Sequence, residues 1–171
     1  PVLLFFGSAI FWLLAGSAFA LLASLKLHNP SFLADSAWLT FGRVRPAHLN
    51  AMAYGWASSA AIGVAIWLMA RLCRTPMRHT GILVTAGALW NLGVAVGIGA
   101  ILAGESTSIE WLEFPTYASF MLFTAYAFTA IWAIVMFRQR KPGHVYVSQW
   151  YLFGSLFWFP WLYGVANIML V

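Results

Sequence analysis

Apolar residues fall along this chain in long uninterrupted blocks, separated by short polar stretches dense in Arg, Glu, Pro and Gly. Pro1 to Leu25, Ala47 to Ala70, Gly81 to Ala103, Phe114 to Phe137 and Tyr146 to Val171 contain no Asp, Glu, Lys or Arg. Each block has the ~20 residues or more that a helix needs to cross a hydrocarbon core of ~30 Å. The pattern predicts an all-α, polytopic transmembrane bundle of five spans, occupying residues 1–171 as one unit.

The breaks carry turn chemistry: Asn29-Pro30, Pro76 and Pro142-Gly143 punctuate the loops. Pro46 suits the first position of the second helix, where its missing N–H costs nothing, and His48 then lies about one turn inside. Phe32, Trp38 and Phe41 read as interfacial residues of the first loop. Two spans carry small residues at fourfold spacing. In the third, Gly93 and Gly97, and likewise Ala95 and Gly99, predict close approach to a neighbouring helix. In the second, Ala51, Gly55, Ser59 and Gly63 line one face beneath His48, and such a flat stripe admits either a helix or a porphyrin plane.

Composition agrees with the pattern. The 171 residues are 63% hydrophobic and 8% charged, with mean hydropathy +0.83, whereas soluble domains carry roughly 25% charged residues. The net charge of +5, from 9 basic and 4 acidic residues, sits in short loops between apolar runs, so a membrane explains it and nucleic acid does not. Loops 71–79 and 138–144 hold three Lys or Arg each, loop 26–46 holds three, and loop 104–113 holds none. The positive-inside rule then places the N-terminus in the cytoplasm. The arginines of the first loop and the glutamates of the third share the outer surface. Cys73 is the only cysteine, which rules out an intrachain disulfide and a cysteine-based zinc or iron–sulfur site. The chain begins at Pro1 without Met and stops at Val171 within an apolar run, so it reads as a piece of a longer protein. The first run is too long for a signal peptide and lacks a basic start.

Candidate chemistry concentrates in Thr40 to Ala51, T-F-G-R-V-R-P-A-H-L-N-A. A histidine inside a membrane span suggests function, and imidazole is a common axial ligand of haem iron. Arg43 and Arg45 at the water boundary suit carboxylates such as haem propionates. The plainer alternative is a histidine hydrogen-bonded to a neighbour, with arginines that anchor the helix at the interface.

The motif is similar to F-G-R-L-R-P-x-H-x-N-A of the catalytic subunit of cbb-type cytochrome c oxidases, the C branch of the haem-copper oxidase superfamily, with Val44 in place of Leu. Trp90 to Glu105 is similar to that family's third span and outer loop. Ile109-Glu110-Trp111 resembles its L-E-W, and His144 to Tyr151 resembles its H-I-Y-V-A-N-W-F. The resemblance covers nearly all of this chain and about the first third of the family's subunit. It implies the N-terminal part of a twelve-helix subunit I fold, with His48 as axial ligand of low-spin haem b, Arg45 at the propionates and Arg43 assisting. Glu105 and Glu110 fall among outer-loop carboxylates tied to a calcium ion, and Ser106, Thr107 and Ser108 add hard oxygen donors. Ser108 stands where a second carboxylate is usual.

The implied activity is that of a terminal respiratory oxidase in a bacterial inner membrane. Electrons pass from cytochrome c-type donor subunits through haem b to a haem-copper centre, where oxygen becomes water with coupled proton translocation. High-spin haem and copper belong to the full-length subunit, whose remaining ligands lie in later spans. His28, His79 and His144 are loop residues and do not replace them, so the 171-residue piece alone is expected not to reduce oxygen. Two alternatives stay open: a nitric oxide reductase-like subunit, and a non-catalytic membrane scaffold or assembly protein.

Overall fold

The computed structural model describes residues 1–171 and contains helices and loops without strands. Five helices are long and apolar enough to cross a membrane: α1 (Val2–His28), α2 (Phe41–Cys73), α3 (Thr80–Ala103), α4 (Thr116–Arg138) and α5 (Val147–Leu170). The five spans expected from the sequence are all present, with shifted ends.

Each end has a local cause. α1 closes where Asn29 N–H donates to Leu25 O at 2.7 Å, immediately before Pro30, and its last turns take in Lys26 and His28. Lys26 is buried although it was expected in the loop. Its ammonium donates to Phe32 O at 2.7 Å and Leu33 O at 3.3 Å, so carbonyls of the following loop satisfy the charge. α3 stops at Gly104, which adopts φ +102, a left-handed conformation that glycine takes without strain. At the head of α5, Gln149 Oε1 accepts from Tyr146 N–H at 3.0 Å.

The second span departs furthest from expectation. α2 begins at Phe41, so Pro46 sits inside the helix and not at its first position, and His48 lies two turns in. Thr40 O accepts the N–H groups of both Arg43 and Val44, and this nucleates the helix ahead of the proline. Pro46 removes a bond to Gly42 O, which lies on the exposed first turn where water can replace the donor. Just past His48 the helix widens into a π-helical stretch, Ala51–Ala57, before it resumes as Ser58–Cys73. Such turns recur at functional sites.

α1 packs on α2 and α3 on α4, and the two layers enclose a core that includes Phe5, Trp90, Leu83, Phe114, Leu122 and Trp132. The small-residue stripe of α2 faces α1. A Cβ on Gly55 would lie 2.6 Å from Trp12 Cγ, and one on Gly63 would lie 3.3 Å from Phe5 Cβ. Of the two uses open to the stripe, helix packing is the one the structure adopts, and a porphyrin cannot lie there. In α3 only one of the two small-residue pairs packs. Gly93 and Gly97 meet Met121, Leu122 and Phe114 of α4 and the loop before it, whereas Ala95 and Gly99 face outward.

Polar side chains join the helices. Trp12 Nε1 donates to Asn91 Oδ1 at 2.8 Å, and Asn91 Nδ2 donates to Ser8 Oγ at 2.9 Å and Gly87 O at 2.7 Å. Trp90 Nε1 donates to Tyr54 O, inside the π-helical stretch, at 2.9 Å. α5 lies most loosely: only Gln149 and Tyr163 along it are buried.

Candidate functional site

His48 projects from the second turn of α2 towards α1, and its Nδ1 lies 2.9 Å from Gly16 O. A carbonyl oxygen only accepts, so Nδ1 carries the proton and, in the neutral ring, Nε2 keeps its lone pair. This is the arrangement of metal-binding imidazoles, whose other ring nitrogen donates to a carbonyl or carboxylate that fixes the ring. Nε2 has no hydrogen-bond partner and the residue is half-buried. Gly16 permits the approach: a Cβ there would lie 2.8 Å from Met52 Sδ and 3.4 Å from Ala51 Cβ.

The two arginines separate in duty. Arg45 precedes His48 by three residues and shares its helix face one turn outward. Its Nη2 donates to Glu110 Oε1 at 2.7 Å, which joins the start of α2 to the third loop. Both side chains are about half exposed, 49% and 54%, so the pair adds on the order of 0–1 kcal/mol to stability. Arg43 is turned about 140° from His48 at 3.6 residues per turn. Its Nη1 donates to Leu102 O at 3.0 Å and satisfies a carbonyl left free at the end of α3.

Glu105 and Glu110 find different partners. Tyr117 OH donates to Glu105 Oε2 at 2.7 Å, while Arg45 holds Glu110. Thr107 Oγ1 donates to Leu112 O at 2.7 Å, and Ser106 Oγ accepts from Ser108 N–H at 3.2 Å. No group of three or more His, Cys, Asp and Glu side chains comes together. In this conformation Tyr117 and Arg45 hold the two carboxylates, and the Thr107 and Ser106 hydroxyls serve bonds within the loop.

One of the third loop's glutamates, expected at the outer surface, is instead buried. Glu113 is 3% exposed, and Asn50 Nδ2 donates to its Oε2 at 3.0 Å and to Pro46 O at 2.9 Å. Asn50 therefore ties the third loop to α2 two residues beyond His48, while its own Oδ1 is buried without a partner. Tyr54 OH reinforces the contact by donating to Trp111 O at 2.6 Å. The signal in the sequence was slight: Glu113 stands between Leu112 and Phe114, which are both buried.

Residues 1–171 match the family described as cytochrome c and quinol oxidase polypeptide I. A cytochrome c oxidase subunit 1 homolog from bacteroids of Bradyrhizobium diazoefficiens is 27% identical over 84% of this chain and 26% of its own length. The cbb3-type cytochrome c oxidase subunit CcoN1 of Stutzerimonas stutzeri is 23% identical over 93% of this chain and 34% of its own length. The chain thus spans about a quarter to a third of these curated relatives.

Proposed function

The chain belongs to the cytochrome c and quinol oxidase polypeptide I family, and from that premise we propose that it forms the part of a terminal oxidase's catalytic subunit that holds low-spin haem b through His48. The observation that carries this reading is the hydrogen bond from His48 Nδ1 to Gly16 O, which leaves Nε2 as a fixed, half-buried lone pair. Haem b, when bound, supplies a one-electron centre whose potential depends on its axial ligands and on nearby charge. The work of this chain is ligation and orientation. His48 offers Nε2, Gly16 fixes the ring plane, and Arg45 on the same face offers a guanidinium for propionates. Arg43 contributes through the end of α3, which it ties to α2. Calcium at Glu105 and Glu110 belongs to the proposal only if Arg45 releases Glu110, because a cation and a guanidinium cannot share that carboxylate on equal terms.

In the full-length subunit this site passes electrons from cytochrome c-type partner subunits towards a haem-copper centre that reduces oxygen to water, with proton translocation, in a bacterial inner membrane. The relatives, a cytochrome c oxidase subunit 1 homolog and a cbb3-type cytochrome c oxidase subunit, favour oxygen over nitric oxide as the substrate and an enzyme over a scaffold. The test is a reduced-minus-oxidised spectrum of the full-length protein with His48→Ala. Loss of the low-spin haem b bands, with the protein still folded in the membrane, is the expected result. Unchanged bands would remove His48 as a ligand.

A further inference from the structure

Six Lys and Arg residues gather in the two loops at the end of the bundle opposite His48, and no carboxylate accompanies them. Asp35 and the three glutamates all lie in the loops at the His48 end, and the single ion pair of the chain, Arg45 with Glu110, is there too. At the far end Lys141 N–H donates to Cys73 O at 3.1 Å, which brings the 139–143 turn against the last residues of α2. Arg74 Nη2 then donates to Pro142 O at 2.8 Å. Arg140 is fixed by a bond from Nη1 to Phe137 O at 3.1 Å and lies over the Phe137 ring at 4.1 Å. Sequence places Arg71 and Arg74 around the end of α2, and the fold adds Arg140 and Lys141.

Unlike those of Arg74 and Arg140, the Arg71 side chain makes no hydrogen bond to the protein, and its guanidinium stands over the ring of Trp67 at 5.5 Å. Val64, Trp67 and Arg71 follow a spacing of three and four, which puts them on one helix face. Val64 is 49% exposed and Trp67 48%. The face of α2 that carries Val64 and Trp67 is therefore apolar for about one turn and then cationic, with an aromatic ring at the boundary where headgroups lie.

We propose that this end of α2 binds a phospholipid with an anionic headgroup. The phosphate sits among Arg71, Arg74 and Lys141, and one acyl chain runs along Val64 and Trp67. Guanidinium groups match phosphate oxygens in pairs. The uncompensated charge of the six Lys and Arg at this end selects a net anionic lipid, because the ammonium of a zwitterionic headgroup would meet only like charge. The apolar strip separates a lipid from a free phosphate, since only the lipid gains from Trp67.

The experiment uses the full-length protein, delipidated in mild detergent and titrated with phosphatidylglycerol or with phosphatidylcholine of the same acyl chains. Bound lipid is counted by native mass spectrometry. A clear preference for phosphatidylglycerol is expected, falling roughly fivefold for each arginine replaced in Arg71→Gln and in Arg71→Gln with Arg74→Gln. Arg71→Gln removes no hydrogen bond of the fold, so it remains readable if the double variant does not assemble. Trp67→Ala should weaken both lipids by a similar factor. Equal retention of the two lipids by the parent protein, or a preference untouched by Arg71→Gln, would overturn the proposal. Displacement of phosphatidylglycerol by an equal concentration of glycerol phosphate would overturn the part assigned to the acyl chain.

Discussion

His48 on α2 and Gly16 on α1 are 32 positions apart in sequence, yet the imidazole Nδ1 lies 2.9 Å from the glycine carbonyl. The bond makes α1 the outer support of the candidate ligand. Space there is limited: a Cβ at position 16 would lie 2.8 Å from Met52 Sδ and would touch the Ala51 methyl at 3.4 Å. The thioether of Met52 is flexible and can swing aside for a single methyl, whereas the Ala51 methyl, already in contact, leaves no room for a branched side chain.

Replacing Gly16 should therefore tune the haem and not abolish it. Gly16→Val in the full-length protein pushes α1 from α2 and lengthens the bond that fixes the ring, while Nε2 remains available. The expected outcome is a retained low-spin spectrum with a displaced midpoint potential, since such supporting bonds set ligand basicity. A redox titration of the haem b band reads this, and a midpoint equal to that of the parent protein would mean that the carbonyl does not support the ligand.

Arg45 and Glu110 offer a pair of opposite tests. If Arg45 stands near the propionates, Arg45→Gln removes a positive charge beside the haem. The oxidised form is then favoured and the midpoint potential falls. Glu110→Gln removes a negative charge, frees the guanidinium, and raises it. Stability should change by no more than about 1 kcal/mol in either variant, because both side chains are half in water. Shifts of the same sign would show that the pair does not act on the haem through its charge.

The spans and the site were not equally legible in the sequence. The five helices could be read because their interiors hold no charged residue. The start of α2 could not, because Arg43, Arg45 and Pro46 look like loop until Leu102 O and Glu110 appear as partners of the arginines. Lys26 was misplaced for the same reason, since carbonyls of the following loop satisfy its charge. His48 and Arg45 stood out through their motif, whereas Gly16 is one small residue of an apolar run and nothing local marks it. The π-helical stretch is equally silent. Its widened turn lets Trp12 settle on Gly55 and Trp90 reach Tyr54 O, and both depend on helices far away in sequence.

The packing of α1 on α2 gives a test of the fold alone. Gly55→Ala would place a methyl 2.6–2.9 Å from the Trp12 side chain, and a large buried ring has little room to retreat. A loss of about 1–3 kcal/mol is expected, the usual range for overpacking. Gly99→Ala is the control: nothing lies within 4 Å of its Cβ, and in a helix alanine is favoured over glycine by about 0.8–1.0 kcal/mol. Thermal unfolding in detergent should rank the variants in that order, and a Gly55→Ala protein as stable as its parent would refute the close packing of α1 on α2.

Asn50 gives the last test, because it holds the third loop from within the helix that carries His48. Its Nδ2 is shared between Pro46 O and Glu113 Oε2, and Glu113 has almost no exposure to water at 3%. Asn50→Ala strips a buried carboxyl group of this donor, a loss that costs about 1–3 kcal/mol and more if the group is charged. Asn50→Asp is expected to be worse, since it sets two carboxyl groups face to face where one amide stood. Asn50→Ala with Glu113→Leu removes both polar partners and should recover much of the stability. Hydrogen exchange across residues 104–115 locates the effect: protection of the loop should fall in the single variants and return in the double. Equal protection in the parent and in Asn50→Ala would mean that Tyr54 OH on Trp111 O, at 2.6 Å, secures the loop by itself.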